Sequence, residues 1–465
     1  MRAMSRGAAG PVAITGEGRD LAAAGAARPV RVELDEAGFS LTLDGSAPIR
    51  AGYRDLATIA VDQGRVLLVV GEGRERLLIE RLGAALGTLV GELRARRARQ
   101  QLADRFIDVP PDDAIELVEY RAIDEGQAGP AAGEHGIAQL AYHAWGAALL
   151  PLDERSGWRL MRRGRIADVS SDQARGAVSV RMAATGSRPA TSIELVGLGL
   201  DAEKVRARLA GLRAQALADA AAIVGTLLPD APYDLRQRAG SLLVDGQPIS
   251  AEEFGDGWPT IESAVLSEPT FAASYRALRE RAGAEAPSWL ALAPRRPASA
   301  DDQMAWFFVA LPGNLLAFEL VSAGAHATYL FRALPAARYA GEGPAQLRGP
   351  AMAVVEQVSE ALVDARFLRE PIHLPAERLS DARYLRYRLA IAALPSLAAA
   401  RQRFVGRLIH RDEAGWAAAL DEAIRWSGSA REDVRWPGGA AGSDDDEDQQ
   451  STDRPSADQP ADEDT

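Results

Sequence analysis

Residues 75–105 read ERLLIERLGAALGTLVGELRARRARQQLADR, and their periodicity decides the fold. Leu77, Leu78 and Ile79 form a short apolar run of strand character. Beyond it Leu82, Leu86, Leu89 and Leu93 recur at steps of four, three and four, which places them on one face of a long helix. The unit returns downstream. Ser192 to Val196 predicts a strand, and Asp201 to Val224 a helix with Val205, Leu209, Leu212 and Ala216 at the same steps. The two helices close alike, Gln-Leu-Ala-Asp at 101–104 and Ala-Leu-Ala-Asp at 216–219.

Upstream of each helix the apolar period is two. Val30, Val32 and Leu34 alternate with Arg31 and Glu33, and Phe39, Leu41 and Leu43 alternate with Ser40 and Thr42. Asp44-Gly45 is a turn, and short strands follow around Ile49, at 56–61 and at 65–70. The second meander runs through 115–120, 138–142, 147–152, 158–169, 178–182 and 192–196. Within 158–169, Trp158, Leu160 and Ile166 share one face and Arg159, Arg163 and Arg165 the other, with Arg163-Gly164 as the hairpin tip.

The expected class is α+β: tandem antiparallel strand meanders, each closed by a long C-terminal helix, then a small helical domain and a disordered acidic tail. Residues 1–28 are rich in Gly and Ala without a period and read as a disordered leader. Residues 29–107 and 113–225 are the two meander units. Residues 235–370 form an α+β domain that could be a degenerate third copy, because Leu242–Ile249 echoes Leu41–Ile49. Residues 376–428 read as helices, with Phe404, Val405 and Leu408 on one apolar face and Trp416, Leu420 and Ile424 on the next. Residues 429–465 are polar, acidic and rich in Gly and Pro, a composition that favours disorder.

A strand meander closed by one C-terminal helix resembles the pleckstrin-homology-like superfold, including its bacterial GRAM-type members. The resemblance rests on element order in 29–107 and, more loosely, in 113–225. It implies a module that binds lipid head groups or protein peptides. In that superfold basic residues near an early hairpin can hold lipid phosphates, so Arg159, Arg162, Arg163 and Arg165 are the candidate anion or lipid site.

Composition narrows the chemistry. The 465-residue chain has no cysteine, which removes disulfides, thiolate nucleophiles and cysteine-based zinc sites. Lys204 is the only lysine. Net charge is −12; residues 443–465 carry ten acids and one arginine, −9, which leaves −3 for residues 1–442. A body so near neutrality argues against a general nucleic-acid binder. No secretory signal or membrane span is expected: the most apolar region, Met304 to Phe331, is broken by Pro312-Gly313-Asn314 and contains Glu319. The expected location is cytoplasmic, with peripheral membrane attachment as the variant.

Other features read as structure. Gly87 and Gly91 sit four apart and predict close packing of the helix on its sheet, the alternative being contact with a second copy. Arg94, Arg96, Arg97 and Arg99 suit the negative end of the helix dipole as a solvated cluster. Gly197-Leu198-Gly199-Leu200-Asp201 follows a strand and opens a helix, but no strand–helix alternation precedes it. It reads as a turn with Asp201 as N-cap rather than a dinucleotide fingerprint. The histidines at 135, 143, 326, 373 and 410 show no metal-ligand spacing, and His143 and His326 fall in strand-like runs. His410 lies beside Asp412 and Glu413, with Asp412 expected to cap the next helix. No cofactor is expected. The function read from this pattern is a non-enzymatic scaffold that recognises a protein partner. Anionic-membrane binding through the Arg-rich hairpin, or an enzyme with a site between domains, are the alternatives.

Overall fold

The computed structural model describes residues 12–21, 26–71, 75–110, 113, 115–124, 134–152, 158–186, 188–267, 269–299, 302–321, 327–429 and 434–440. Three antiparallel sheets organise them. The first is built from β1 (Val12–Asp20), β2 (Arg28–Leu34), β3 (Phe39–Leu43), β4 (Ile49–Ala51), β5 (Leu56–Asp62), β6 (Arg65–Val70) and β7 (Glu75–Glu80). Helix α1 (Ala85–Ala103) follows. The second sheet repeats the scheme with β8 (Glu116–Asp124), β9 (Glu134–His143), β10 (Gly146–Pro151), β11 (Arg159–Arg162), β12 (Ile166–Asp172), β13 (Ala177–Met182) and β14 (Thr191–Val196), followed by α2 (Ala202–Leu227).

The strand orders are β4-β3-β2-β1-β7-β6-β5 and β11-β10-β9-β8-β14-β13-β12, the same order twice. In each sheet the two edge strands are consecutive in sequence. Ala51 and Leu56 are joined through the 3-10 turn Tyr53–Asp55, and Arg162 and Ile166 through the 3-10 turn Arg163–Arg165. A flat seven-stranded sheet is about 29 Å from edge to edge at about 4.8 Å per strand, whereas five peptide steps span at most about 17 Å. Both sheets must therefore curl. Each also carries one register shift at the start of its fifth strand, between Leu56 and Thr58 and between Ile166 and Asp168.

The leader expectation is corrected over residues 12–20. They form β1, which pairs with both β2 and β7 at the centre of the first sheet. The period was hidden because two inward positions are glycine. A Cβ on Gly18 would lie 2.8 Å from Leu43 and 2.9 Å from Val30, and one on Gly16 3.0 Å from Leu82. Residues 1–11 and 22–25 of the expected leader lie outside the described residues.

The helices pack as their periods predict. Leu89 and Leu93 of α1, and Val205 and Leu209 of α2, are buried on the inner faces of their sheets. Each such side chain contributes about 1.5–3 kcal/mol of burial. Gly87 and Gly91 do not face the sheet: both are exposed, and a Cβ on either would meet nothing within 4 Å. The arginines of α1 are not a solvated cluster. Arg97 donates to the Ala57 carbonyl at 2.6 Å, the residue skipped at the register shift. Arg96 donates to the Asp35 carbonyl at 2.5 Å, and Arg99 to that of Asp113 at 2.6 Å. Guanidiniums here satisfy carbonyls that the ladder leaves over.

The third sheet corrects two expectations. It runs β15 (Ile249–Ser250), β16 (Ser288–Pro294), β17 (Gln303–Leu311), β18 (Leu315–Val321), β19 (Ala327–Arg332) and β20 (Phe404–Ile409) in simple order, so residues 235–370 are not a third copy of the meander. Phe404, Val405 and Leu408 lie on its sixth strand rather than on a helix, which joins the expected 376–428 domain to the same sheet. Phe404 enters one core and Val405 and Leu408 the other, because a register shift interrupts the pairing of β20 with β19, so no period of two runs through the six residues to distinguish them from a helix.

Helices cover both faces of this sheet. One face meets α7 (Arg348–Asp364) and, further on, α8 (Glu370–His373), α9 (Ala376–Leu379), α10 (Leu385–Ala393) and α11 (Pro395–Arg403) gather beside it. The other face meets the end of α2, α3 (Tyr233–Leu242) and α5 (Trp258–Val265), which follows the single turn α4 (Ala251–Phe254). It also meets α6 (Pro269–Ala282) and α12 (Glu413–Ser429). Alternate residues of β17, Trp306 and Phe308 against Phe307 and Val309, enter opposite cores. That explains the apolar density of Met304 to Phe331: these strands are buried on both faces. Among the described residues no helix is long and apolar enough to cross a membrane.

The expected tail is shortened at its start. Trp436 is 4% exposed, and its amide donates to the Val405 carbonyl at 2.9 Å, so residues 434–440 dock on β20. The acidic stretch from 443 lies outside the described residues.

Candidate functional site

The Arg-rich segment lies where the second unit meets the third sheet and its helices. It is not a solvated hairpin tip, because β11 and β12 are opposite edges of a curled sheet and the turn between them points at a neighbour. Arg163 is 0% exposed. Its Nε and Nη2 grip Asp245 at 2.9 and 2.8 Å, and Nη2 also reaches Asp219 at 2.7 Å. Its ring neighbour is Trp145, 5.0 Å from the guanidinium carbon. Gly164 lets this turn dock: a Cβ there would lie 2.9 Å from that of Asp245.

The other three arginines are also engaged within the chain. Arg162 is paired with Asp364 and faces Glu360. Arg159 holds Glu134 at 2.6 Å. Arg165 donates to the Ala183 carbonyl at 2.8 Å, and burial lowers its pKa. Glu356, Glu360 and Asp364 are spaced by four along α7 and so share one face. That face takes the Thr185 hydroxyl and the Gly186 amide on Glu356 at 3.0 and 2.6 Å, Arg188 on Glu360 at 2.6 Å, and Arg162 on Asp364. Burial pushes the carboxyls of Asp245 and Asp364 up, against the pull of Arg163 and Arg162.

The shared helix tails now have a role. Asp219 ends its motif 5% exposed, holding Arg163 from the 3-10 turn and Gln215 one helical turn earlier at 2.6 Å. Asp104 is 3% exposed, holding Arg54 from the equivalent turn at 2.7 Å and Gln100 at 2.8 Å. The same lock of turn arginine, aspartate and helix glutamine is built twice, with Asp104 at the C-cap of α1 but Asp219 inside α2, which continues past the expected tail to Leu227. The end of α1 also reaches the third body: Arg366 pairs with Asp108, and Arg386 donates to the Ala103 carbonyl at 2.7 Å.

A cleft of ≈ 780 Å³ opens among the three bodies, lined by Phe106, Asp108, His143, Trp145, Arg295 and Asp302 among others. His143 occupies the end of β9, and desolvation, then the charges of Arg162 and Arg163, push it down to about 3. An imidazole held there is neutral across the physiological range and a poor proton shuttle. His326 lies outside the described residues.

The arrangement most suggestive of acid–base chemistry surrounds His410. Glu319 Oε1 lies 3.2 Å from His410 Nε2, and the Thr328 hydroxyl 2.9 Å from the same nitrogen. Thr328 also donates to Glu319 at 2.5 Å and accepts from Trp416 Nε1 at 2.9 Å, and Ser274 donates to Glu319 at 2.7 Å. A nucleophile relay needs the hydroxyl and the carboxylate on opposite ring nitrogens and an open face on the hydroxyl. Here both meet Nε2 and Thr328 is 0% exposed. The cluster satisfies a buried carboxylate and joins β18, β19, α6 and α12. Asp412 caps α12 as expected, accepting from the Gly415 amide at 2.6 Å. The turn at Gly197–Asp201 also holds: Gly197 and Gly199 take φ of 75° and 54°, and Asp201 occupies the N-cap position, though its side chain makes no capping bond.

No protein-family model matches the chain, and no curated protein matches it.

Proposed function

We propose that this chain is a non-enzymatic scaffold whose two pleckstrin-homology-like units present a surface to a protein partner. What supports the module reading is the repeated strand order, with each curled seven-stranded sheet followed by a helix packed on its inner face. What supports a protein partner is the outer face of the second sheet. There Ala141, Ala148 and Leu150 are covered by Ala98, Leu102 and Ile107 from α1 and its end. Farther along the same face Leu117, Ile137 and Leu152 are 55%, 47% and 37% exposed. The Leu152 amide bonds the Ile137 carbonyl, and Leu117 lies diagonally across the β8–β9 pair, so the three are neighbours. An apolar row beside a covered one is the kind of surface that a protein partner buries.

The membrane alternative loses the residues that carried it, because the guanidiniums of Arg159, Arg162 and Arg163 are held by carboxylates of the chain itself. The test is affinity capture from native lysate with the full chain and its Ile137→Glu variant as parallel baits. A stoichiometric partner retained by the first and lost by the second is expected. A partner held equally by both, or by neither, would remove this face from the argument.

A further inference from the structure

The outward residues of β8 form a strip that complements itself when reversed. Val118, Tyr120 and Ala122 are buried under α2, so Leu117, Glu119, Arg121 and Ile123, which alternate with them, lie on the outer face of the second sheet. All four are exposed. Their order along the strand is apolar, acidic, basic, apolar. Ile137 lies opposite Glu119 on β9, so the exposed apolar row borders this strip. Glu194, the cross-strand neighbour of Arg121 on β14, is taken by Arg175 at 2.9 Å.

A two-fold axis that lies in the interface and crosses β8 at Tyr120 sets two copies face to face with these strands antiparallel. Leu117 then meets Ile123 of the other copy and Glu119 meets its Arg121, each contact being made twice. Glu119 and Arg121 stand about 3.4 Å along the strand from that axis, and Leu117 and Ile123 about 10 Å. Face-to-face sheets sit about 30° off alignment, which displaces the inner charge pairs by only about 2 Å. An axis along β8 would instead set Glu119 on Glu119 and Arg121 on Arg121, so charge selects one arrangement. We propose that the outer face of the second sheet is a homodimer surface on which β8 of two copies cross antiparallel at Tyr120. A dimer here presupposes that this face is a partner surface, as proposed above, and makes the partner a second copy of the chain. The self-matching order of charges and apolar ends is what favours a second copy over an unrelated protein. Four strands by six residue steps cover about 19 by 20 Å, or about 400 Å² per copy, at the low end of specific interfaces. The sheet is also curled and presents its outer side, so contact follows a strip. The dimer should therefore be weak, with a Kd of about 10–100 μM.

Sedimentation equilibrium of the full chain, from about 5 to 500 μM and at low and high salt, tests the dimer. The wild type should pass from monomer to dimer across that range, less readily at high salt. Glu119→Arg and Arg121→Glu should each weaken association at least about tenfold, because either change sets like charges across the axis. Both positions are exposed, so the fold is kept. An equal mixture of the two variants should recover the dimer, since one supplies both bases and the other both acids. The double variant should dimerise by itself, as the wild type does. A wild type that is monomeric throughout, a dimer that Glu119→Arg leaves unchanged, or a mixture that stays monomeric would each overturn the proposal. Failure of the surface reading is told apart by the lysate capture. A monomeric wild type whose lysate partner is still lost by Ile137→Glu keeps the surface and removes the second copy.

Discussion

Replacing Arg163 with alanine should lower stability by about 3–5 kcal/mol, the range for removing one partner of a buried ion pair. The side chain of Arg163 is 1% exposed, and it is shared by Asp219 at 5% and Asp245 at 8%. Its removal strands two carboxylates in a site that already pushes Asp245 upward. The equivalent change at Arg54, whose side chain is 45% exposed, should cost only about 1 kcal/mol, because water screens the pair. The deficit at Arg163 should also depend on pH. Without the arginine, burial keeps the folded carboxyl protonated above the pH at which the unfolded one ionises, so stability is lost as pH rises. Arg163→Ala should therefore be worse at pH 8 than at pH 5. Because Asp219 and Asp245 belong to α2 and to the turn before β15, urea unfolding should resolve the second unit from the third sheet in the variant. Changing all three, Arg163→Met with Asp219→Asn and Asp245→Asn, should recover much of the loss. A single transition at the wild-type midpoint for Arg163→Ala would show that the lock carries no weight.

That lock marks where the sequence was readable and where it stopped. The leucine steps in α1 and the strand alternation in Val30–Leu43 are signals of local geometry, and they place the elements because each buries one face against its own sheet. The shared tail at 101–104 and 216–219 was visible as a repeat, but a repeated aspartate says nothing of its partner. Arg54 and Arg163 lie 50 and 56 residues away and meet it only through the curl of the sheets. Arg163 in particular looked like an exposed tip because alternation fixes the face of a strand but not what the next domain does to that face. A sharper signal was present in α7: Glu356, Glu360 and Asp364 form an acidic stripe on a helix most of whose other positions are apolar, which asks for cations. His373 gave no signal at all, since Arg369, Arg401, Arg407 and Arg435 are drawn from four separate elements. β1 was missed for the opposite reason, its inward positions being glycines that carry no hydrophobic period.

Acid should destabilise the fold through two histidines well before ordinary carboxylates protonate. Desolvation, then the nearby arginines, hold His143 and His373 at about 3, against about 6.5 in an unfolded chain. Between those values the unfolded chain binds protons that the folded one does not. Stability is therefore complete above pH 6.5 and falls as pH drops toward 3. One such group costs about 1.4 kcal/mol per pH unit in the middle of the window, and two about 2.7, an upper figure because His143 is only partly buried. By pH 4.5 the loss reaches about 3–5 kcal/mol, a large share of a typical folding free energy. Asp245, Asp364 and Glu116, raised mainly by burial, act with the opposite sign and blunt the net slope. The clean measurement is thus a difference: stability against pH for the wild type minus that for His373→Gln, from which the carboxyl contributions cancel. The difference should slope by close to one proton between pH 6 and 4 in buffer free of oxyanions. A flat difference in plain buffer would mean that His373 is protonated as readily inside the fold as outside it, with the four arginines too far or too well screened to matter.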